Sequence, residues 1–417
     1  MITKKSIQAL IIVLSTLLLF IILPWLTESA SRSSYRYPFS YYSSLKNDFI
    51  NYQPTDSGIN YHDSKGNNYS RFESDSILPL LNYRQLLKDG RAPHSIAGRA
   101  VDTKIVQHNQ FFFRYSPKKK NCKTIGLYPM YESMSGRINL ETPEDMFSLK
   151  DDIHFINCES NRIEQKKSAL FQQALERHHF RFPAQWVAGN PSAKKAYDEG
   201  WFALDSKNEI YHIKMVNGKP FVKNINLPKQ MHVVHMETIE TANHITYGFI
   251  FTSDGNIYYL ADTSYEPVQI PIPTFDVNND QLSILTNLLY WNVYVTTAEN
   301  RYHYAFESGS LKEVDKLQMT APKLSWQKAM EYLFPTTIKT TSPRSTFIYP
   351  EFSSISTKAI FVNLLCVLLL VLVSTNINRK ELIPQIIFVI LTGICGLIPI
   401  LLFRNRSTIK KNIIQLK

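Results

Sequence analysis

The chain of 417 residues has little glycine, few cysteines and few charged residues. Glycine contributes 14 residues and cysteine 4, and charged residues make up 19%. Neither the phosphate-binding pattern G-x-x-x-x-G-K-[ST] nor the dinucleotide pattern G-x-G-x-x-G occurs, which excludes the common nucleotide-binding folds. Hydrophobic residues reach 44%, and this content excludes a disordered chain.

Most of the net charge of +11 belongs to the two ends of the chain. Residues 30–357 carry 36 cations and 33 anions, so the central region is almost neutral. A nucleic-acid-binding protein needs a basic patch on its folded body. The charge distribution therefore predicts no nucleic-acid partner.

Three segments without a charged residue predict transmembrane helices. They cover residues 6–27, 359–378 and 382–403, and each is long enough to cross a bilayer. A signal peptide is the alternative for the first segment. Its apolar stretch is longer than such peptides have, and Glu28 fits a cleavage site poorly, so we expect an uncleaved anchor.

The positions of basic residues predict the orientation. Lys4 and Lys5 precede the first span, and Arg379 and Lys380 lie in the turn between the other two, so both groups are expected in the cytoplasm. The basic tail, residues 404–417, opposes this, because three spans would place it outside. The first helix usually dominates, and we predict a multi-pass inner-membrane protein whose large domain faces the periplasm. The spans contain no ionisable Asp, Glu, Lys, Arg or His, so they offer no proton relay.

Between the spans, the sequence predicts one large β-rich domain over residues 45–340, with linkers at 28–44 and 341–358. Three segments repeat an apolar strand, a polar turn and a tyrosine-containing strand; they are residues 202–214, 249–261 and 293–306. Residues 61–72 follow the same pattern. Helices are expected at about 75–90, at 161–177 and from Ser325 to just before Pro335.

The repeats predict a β-propeller. Tyr211, Tyr258 and Tyr302 occupy matching positions 47 and 44 residues apart, the length of one four-stranded blade. The scarcity of glycine and the lack of a WD or kelch signature keep a β-sandwich as the alternative fold.

Two small groups of residues are candidates for special chemistry. Cys122 and Cys158 can form a disulfide if the domain is oxidised, and the sequence leaves the pairing open. Met231, His232, His235 and Met236, followed by His244, are soft ligands suited to copper. On an extended strand His232 and His235 point in opposite directions, so this is a weak metal candidate, and the sequence predicts no resident cofactor.

Serine nucleophiles have little support. Ser325 and Lys328 match S-x-x-K, but the companion motifs of penicillin-binding enzymes are missing, so Ser325 is interpreted as the cap of a helix. Ser133 and Ser135 in the sequence ESMSGR would need a distant histidine such as His94 or His154. The sequence therefore assigns no catalytic residue.

Three phrases resemble an uncharacterised family of bacterial membrane-anchored proteins with a domain of unknown function. They are DSILPLLNYRQLLKDGRAPHSIAG (75–98), IGLYPMYESMSGRINLETPEDMF (125–147) and FPAQWVAGNPSAKKAYDEGWFALD (182–205). A further segment, HIKMVNGKP (212–220), also resembles a stretch of this family. The resemblance covers nearly the whole chain. It implies a bacterial membrane protein encoded near ABC-type transporter components, and it implies no catalytic residues.

Two functions follow from these observations. The first is a non-enzymatic, membrane-anchored accessory or binding protein, which contacts the lipid bilayer and is a partner of a membrane complex such as an ABC-type transporter. The alternative is a periplasmic hydrolase or a copper- or metal-handling protein whose residues come together from distant loops.

Overall fold

The structure is a computed structural model and describes residues 4–31, 35–137, 139–195, 197–374 and 378–403. Its helices are α1 (Lys4–Ser31), α2 (Arg71–Ile77), α3 (Tyr83–Lys88), α4 (Thr103–His108), α5 (Pro117–Lys120), α6 (Gln165–Arg177), α7 (Ser325–Leu333), α8 (Ile360–Val373), α9 (Arg379–Thr392) and α10 (Ile394–Phe403). A short 3-10 turn at Thr357–Ala359 precedes α8.

The strands form five main antiparallel sheets. The first sheet is β1 (Phe39–Ser43), β2 (Asp48–Thr55), β3 (Gly58–Asp63) and β4 (Asn68–Tyr69). A separate two-stranded ladder follows in the chain and pairs β5 (Ser95–Ile96) with β6 (Arg99–Ala100). The next strand, β7 (Phe112–Tyr115), belongs to the fifth sheet. The second sheet is β8 (Tyr128–Pro129), β9 (Asp145–Leu149) and β10 (Ile153–Asn157), and the third is β11 (Trp186–Gly189), β12 (Trp201–Leu204), β13 (Ile210–Val216) and β14 (Lys219–Asn224). The fourth sheet is β15 (Val233–Thr238), β16 (Thr246–Thr252), β17 (Ile257–Ala261) and β18 (Pro267–Gln269), and the fifth is β19 (Gln281–Thr286), β20 (Tyr290–Thr296), β21 (Asn300–Glu307) and β22 (Glu313–Thr320). A last ladder pairs β23 (Ile338–Lys339) with β24 (Glu351–Phe352).

The chain divides into two compact units. The β-rich unit is Tyr37–Thr320, and the helical unit consists of the segments before and after it. The predicted linker 28–44 therefore differs from the structure, because α1 continues to Ser31 and β1 pairs with β2 inside that range. Residues 321–340, expected in the β-rich domain, belong to the helical unit.

Each of the three repeated segments coincides with two paired strands: β12 with β13, β16 with β17, and β20 with β21. Side chains in the turns explain why the chain reverses there. The Asp205 carboxylate accepts hydrogen bonds from the N–H groups of Lys207 and Glu209, at 2.8 and 2.9 Å. The Asp63 carboxylate likewise accepts hydrogen bonds from the N–H groups of Lys65 and Asn67. Such aspartate turns close hairpins locally, which is why the sequence reveals them.

Apolar side chains from consecutive sheets interlock to form the core. One cluster joins the second and third sheets with α6, another joins the third and fourth, and a third joins the fourth and fifth with β7. The sheets thus pack in series. The prediction of a mainly β fold is confirmed, whereas the sheets do not close into a ring within the described residues.

The helix expected at 75–90 is two shorter helices. Ser70 caps α2, so this helix starts before position 75: the Ser70 hydroxyl accepts the Glu73 N–H at 3.2 Å, and Glu73 in turn accepts the Ser70 N–H at 2.8 Å. Pro79 disfavours helical backbone at Leu78, and α2 ends before it.

In the helical unit, α1 is the one described helix that is long and apolar enough to cross a membrane, as an anchor or as a signal sequence. The predicted span 382–403 is not one helix, because the chain turns at Gly393 between α9 and α10. The predicted span 359–378 contains the shorter α8, and residues 375–377 lie outside the described residues. The predicted basic tail 404–417 lies outside them as well.

Candidate ligand site in the β-rich unit

A partly exposed polar group lies between the third and fourth sheets and consists of Glu199, His244 and Asp262. One ligand atom from each residue lies within 4.8 Å of the other two. Glu199 precedes β12, His244 lies in the connection from β15 to β16, and Asp262 follows β17. Three chain segments that are distant in sequence thus build the site.

The backbone near Glu199 depends on glycine. Gly200 has φ of +65°, a left-handed conformation that side chains with a Cβ rarely adopt. A Cβ at this position would collide with the carbonyl oxygen of Ile213 on the neighbouring strand β13. The glycine therefore lets β12 pair tightly and aims Glu199 at the site.

Charge pairs surround Glu199 and His244. The Lys214 ammonium lies 2.9 Å from the Glu199 carboxylate, and His244 Nδ1 lies 3.4 Å from an Asp262 oxygen. Burial raises the pKa of Glu199 above its ordinary value, and Lys214 acts in the opposite direction. The site therefore combines two carboxylates, one ammonium and one imidazole.

Tyr197 holds the His244 imidazole. The two rings stack with centroids 4.1 Å apart and planes 25° from parallel. The Tyr197 hydroxyl donates to the Thr241 carbonyl at 2.6 Å, and burial raises the pKa of that hydroxyl, so it stays protonated. This fixes the position of the most exposed member of the group.

A buried aromatic floor lies behind the site. His212 is fully buried, and its Nδ1 forms a 2.8 Å hydrogen bond with the Tyr265 hydroxyl, while Nε2 contacts the Glu199 carbonyl oxygen. Burial lowers the pKa of His212 to about 3, so the imidazole is neutral at ordinary pH. The rings of Tyr247 and Tyr265 stack beside it at 4.8 Å.

A buried ion network ties the same two sheets together. Lys195 Nζ contacts Asp198 at 2.6 Å and Glu240 at 3.0 Å, and it donates to the Asn190 carbonyl at 2.8 Å. The three charged side chains are no more than 4% exposed. Ser133 donates to the second Asp198 oxygen at 3.0 Å. The ammonium thus has one carbonyl and two carboxylate partners, all within 3.0 Å, which is typical of a structural network.

We expect Gly200→Ala to destabilise the protein more than Gly218→Ala. Gly218 has a similar φ of +71°, but its missing Cβ faces open space, so its replacement costs only the backbone strain. The backbone strain should cost about 1–3 kcal/mol at either position. Gly200→Ala adds the collision with Ile213, so its total loss should be the larger. Denaturant unfolding of the full chain in detergent measures both; equal losses would show that β13 moves aside freely.

The soft-ligand group predicted at 231–236 does not converge. His232 is exposed, whereas Met236 is buried in the core between the third and fourth sheets. His235 packs on the other side of its sheet against the Tyr115 and Phe251 rings and contacts Glu237 at 2.9 Å. A bulge between Val233 and His235 shifts the register but does not bring the ligands together.

The cysteine and serine candidates are likewise separated. Cys122 and Cys158 are free thiols, so the disulfide left open by the sequence is not formed. Cys122 follows α5, next to a strand of the fifth sheet, and Cys158 follows a strand of the second sheet. Ser133 pairs with Asp198, and His154 pairs with Asp152 at 3.0 Å, so neither forms a nucleophile–base pair. Ser135 accepts the Arg137 N–H, and His94 is exposed.

Sequence inspection missed Glu199, Asp262 and the Lys195 network. No spacing connects positions 199, 244 and 262, because the contact depends on the packing of two sheets. The available signal was the run Asp198-Glu199-Gly200 directly before a predicted strand.

The fold and the site define a β-rich protein that carries an apolar N-terminal helix and a polar group between two of its sheets. The chain belongs to the family described as domain of unknown function DUF4857, whose profile matches residues 39–306. No curated protein matches the chain.

Among solved structures, the chain is similar to the β-propeller domain of Cps50 (Swd1) from Myceliophteria thermophila, with 8% identity over 70% of this chain and 89% of that one, and a TM-score of 0.24. The Dos1 propeller gives 11% identity, 78% and 73% coverage, and a TM-score of 0.27. The dihydro-heme d1 dehydrogenase NirN in complex with DHE gives 10%, 60% and 72%, and 0.21. At such TM-scores these similarities add nothing to the fold described above.

Proposed function

We propose that this protein is a membrane-anchored, non-enzymatic accessory subunit that binds a partner through its β-rich unit. The observation that carries the proposal is the polar group of Glu199, His244 and Asp262, held by rigid strand ends and open to solvent at His244. Preorganised charged groups of this kind give specificity to a binding surface.

The α1 helix provides the anchor in this proposal, and the β-rich unit faces the periplasm. An ABC-type transporter is the class of partner that the family resemblance implies. The site holds two carboxylates and one ammonium, so a basic side chain or loop of the partner complements it.

Affinity purification of the full chain in mild detergent tests the proposal. We expect an integral membrane protein to co-purify in stoichiometric amount. The double variant Glu199→Gln, His244→Ala should reduce its recovery at least tenfold, since removing charged contacts costs affinity. His232→Ala, an exposed histidine outside the site, is the matched control. A chain that purifies alone, or recovery unaffected by the double variant, would contradict the proposal.

Metal handling is a second candidate function, supported by the same three residues. Imidazole and carboxylate groups are ordinary zinc ligands, and Lys214 would have to release Glu199 on binding. Dialysis of the full chain against zinc followed by metal analysis should give one ion per chain in the parent and none in His244→Ala. Equal zinc content in parent and His244→Ala would exclude this function, while His232→Ala controls for surface binding.

A further inference from the structure

The C-terminal part of the helical unit is a helical hairpin. α9 has 14 residues and α10 has 10, which correspond to about 21 and 15 Å at 1.5 Å per residue. Each is shorter than the ~30 Å hydrocarbon core of a bilayer. Gly393, with φ of +59°, forms the turn between them.

Both open ends of this hairpin lie beside the beginning of α1. Lys5 Nζ is 2.9 Å from Glu381 in the first turn of α9, and Gln8 Nε2 donates to the carbonyl of Phe403, the last residue of α10, at 2.7 Å. At the other end of α10, Cys395 packs in one cluster with Phe20 of α1. α10 therefore runs antiparallel to α1, and the turn lies roughly 18 Å along α1 from Gln8.

The polar backbone of the turn is satisfied within the protein. The Gly393 N–H donates to the Val389 carbonyl at 2.7 Å, and the Leu397 N–H donates to the Gly393 carbonyl at 3.0 Å. Asn363 of α8 donates to the Ile390 carbonyl at 2.8 Å. A Cβ on Gly393 would collide with the Asn363 side chain. Non-helical backbone occurs at membrane depth only when it is paired and buried in this way.

The outer surface of the same unit is apolar. Large side chains that are 46–69% exposed cover α1, α8 and α9, among them Leu14, Leu18, Phe361, Leu369 and Leu391. A surface of this kind, continuous with a helix long enough to span a membrane, fits hydrocarbon chains.

We propose that lipid covers this surface and that α9–α10 form a re-entrant hairpin, which enters and leaves the bilayer on the side where Lys5 lies. The hairpin puts the end of α10 on the same side as Arg379 and Lys380. One continuous span over 382–403 would put those two points on opposite sides.

A second group of exposed apolar side chains fits the membrane–water interface at the opposite end of α1. Phe347, Ile348, Tyr349, Phe352 and Ile355 are 42–83% exposed and flank β24. Its partner strand β23 carries Lys339, whose Nζ lies 3.9 Å from Glu28 near the far end of α1. Aromatic and aliphatic side chains at this level suit the headgroup region.

Single-cysteine labelling of the full chain in native membranes tests the hairpin. The background carries Cys122→Ser and Cys158→Ser and keeps the buried Cys366 and Cys395. Lys380→Cys, Ser407→Cys and Ser354→Cys are each treated with a membrane-impermeant maleimide, in intact spheroplasts and in inverted vesicles. Unchanged yield and thermal stability in detergent show that each variant folds.

We expect the cysteines at positions 380 and 407 to label from one side, more than tenfold faster than from the other, and the cysteine at position 354 to label from the opposite side. Labelling of positions 380 and 407 from opposite sides would establish a continuous span and overturn the proposal. Equal labelling of all three from both sides would show that the unit is not embedded. The outcome does not depend on the partner or on the ligand site.

Discussion

Lys195→Met is expected to destabilise the protein by about 3–5 kcal/mol, the usual cost of removing one partner from a buried ion network. The Asp198 and Glu240 side chains are no more than 4% exposed and would be left buried without the ammonium between them. Methionine preserves most of the volume of lysine, so the loss reports the charge and not a cavity. Denaturant unfolding in detergent, followed by tryptophan fluorescence, gives the change in the free energy of unfolding.

Lys194→Met is the matched control, because Lys194 is exposed and adjacent in sequence. It should change the free energy of unfolding by less than about 0.5 kcal/mol. A loss below 1 kcal/mol for Lys195→Met would mean that water enters the network, and that the third and fourth sheets are not held together as described.

Acidification from pH 7.5 to 4.5 is expected to cost about 2 to 3 kcal/mol for each of two buried histidines. Burial lowers the pKa of both His212 and His303 to about 3, from 6.5 in the unfolded chain. His303 is fully buried between the rings of Phe49 and Tyr294, and neither of its ring nitrogens has a hydrogen-bond partner within the described residues.

The direction in which the free energy of unfolding changes with pH follows from proton binding. Below pH 6.5 the unfolded histidines take up protons while the folded ones stay neutral, so stability is lost as the pH falls from about 6.5 towards 3. His303→Leu removes one such group, and its stability relative to the parent should rise by about 2 to 3 kcal/mol between pH 7.5 and 4.5. The exposed His108→Leu should show no such rise. Parallel pH profiles for parent and His303→Leu would contradict the assignment.

Local features of the fold were predictable from the sequence. The three tyrosine-containing hairpins are set by alternating apolar residues and by turn residues such as Asp205. Helix α7 begins at Ser325 and ends before Pro335 as expected, because proline cannot continue a helix. Its N-cap residue is Leu324, so the interpretation of Ser325 as the cap is wrong by one position. Each of these signals lies within about ten residues of the structure that it specifies.

The break at Gly393 was not predictable from hydropathy, because the turn is as apolar as the helices that flank it. What distinguishes the break is the Asn363 amide on a neighbouring helix, which donates a hydrogen bond to the Ile390 carbonyl near the end of α9. The sequence did show Asn363 as a polar residue in an apolar segment, but it could not show which backbone group that residue would meet.

The candidate site depends on contacts over longer distances in sequence. Glu199 and Asp262 are 63 residues apart, and the packing of two sheets brings them together. Conversely, the methionines and histidines at 231–236 are neighbours in sequence but face different sides of one sheet, because side chains alternate along a strand.

Protease treatment of intact spheroplasts, combined with an alkaline carbonate wash of the membranes, tests most directly whether the β-rich unit is tethered outside the cytoplasm. The account predicts that the full chain stays in the washed membrane pellet. It also predicts that added protease cuts the β-rich unit as completely in intact spheroplasts as after detergent permeabilisation. Recovery of the chain in the wash, or cutting only after permeabilisation while a periplasmic control protein is cut without it, would contradict the account.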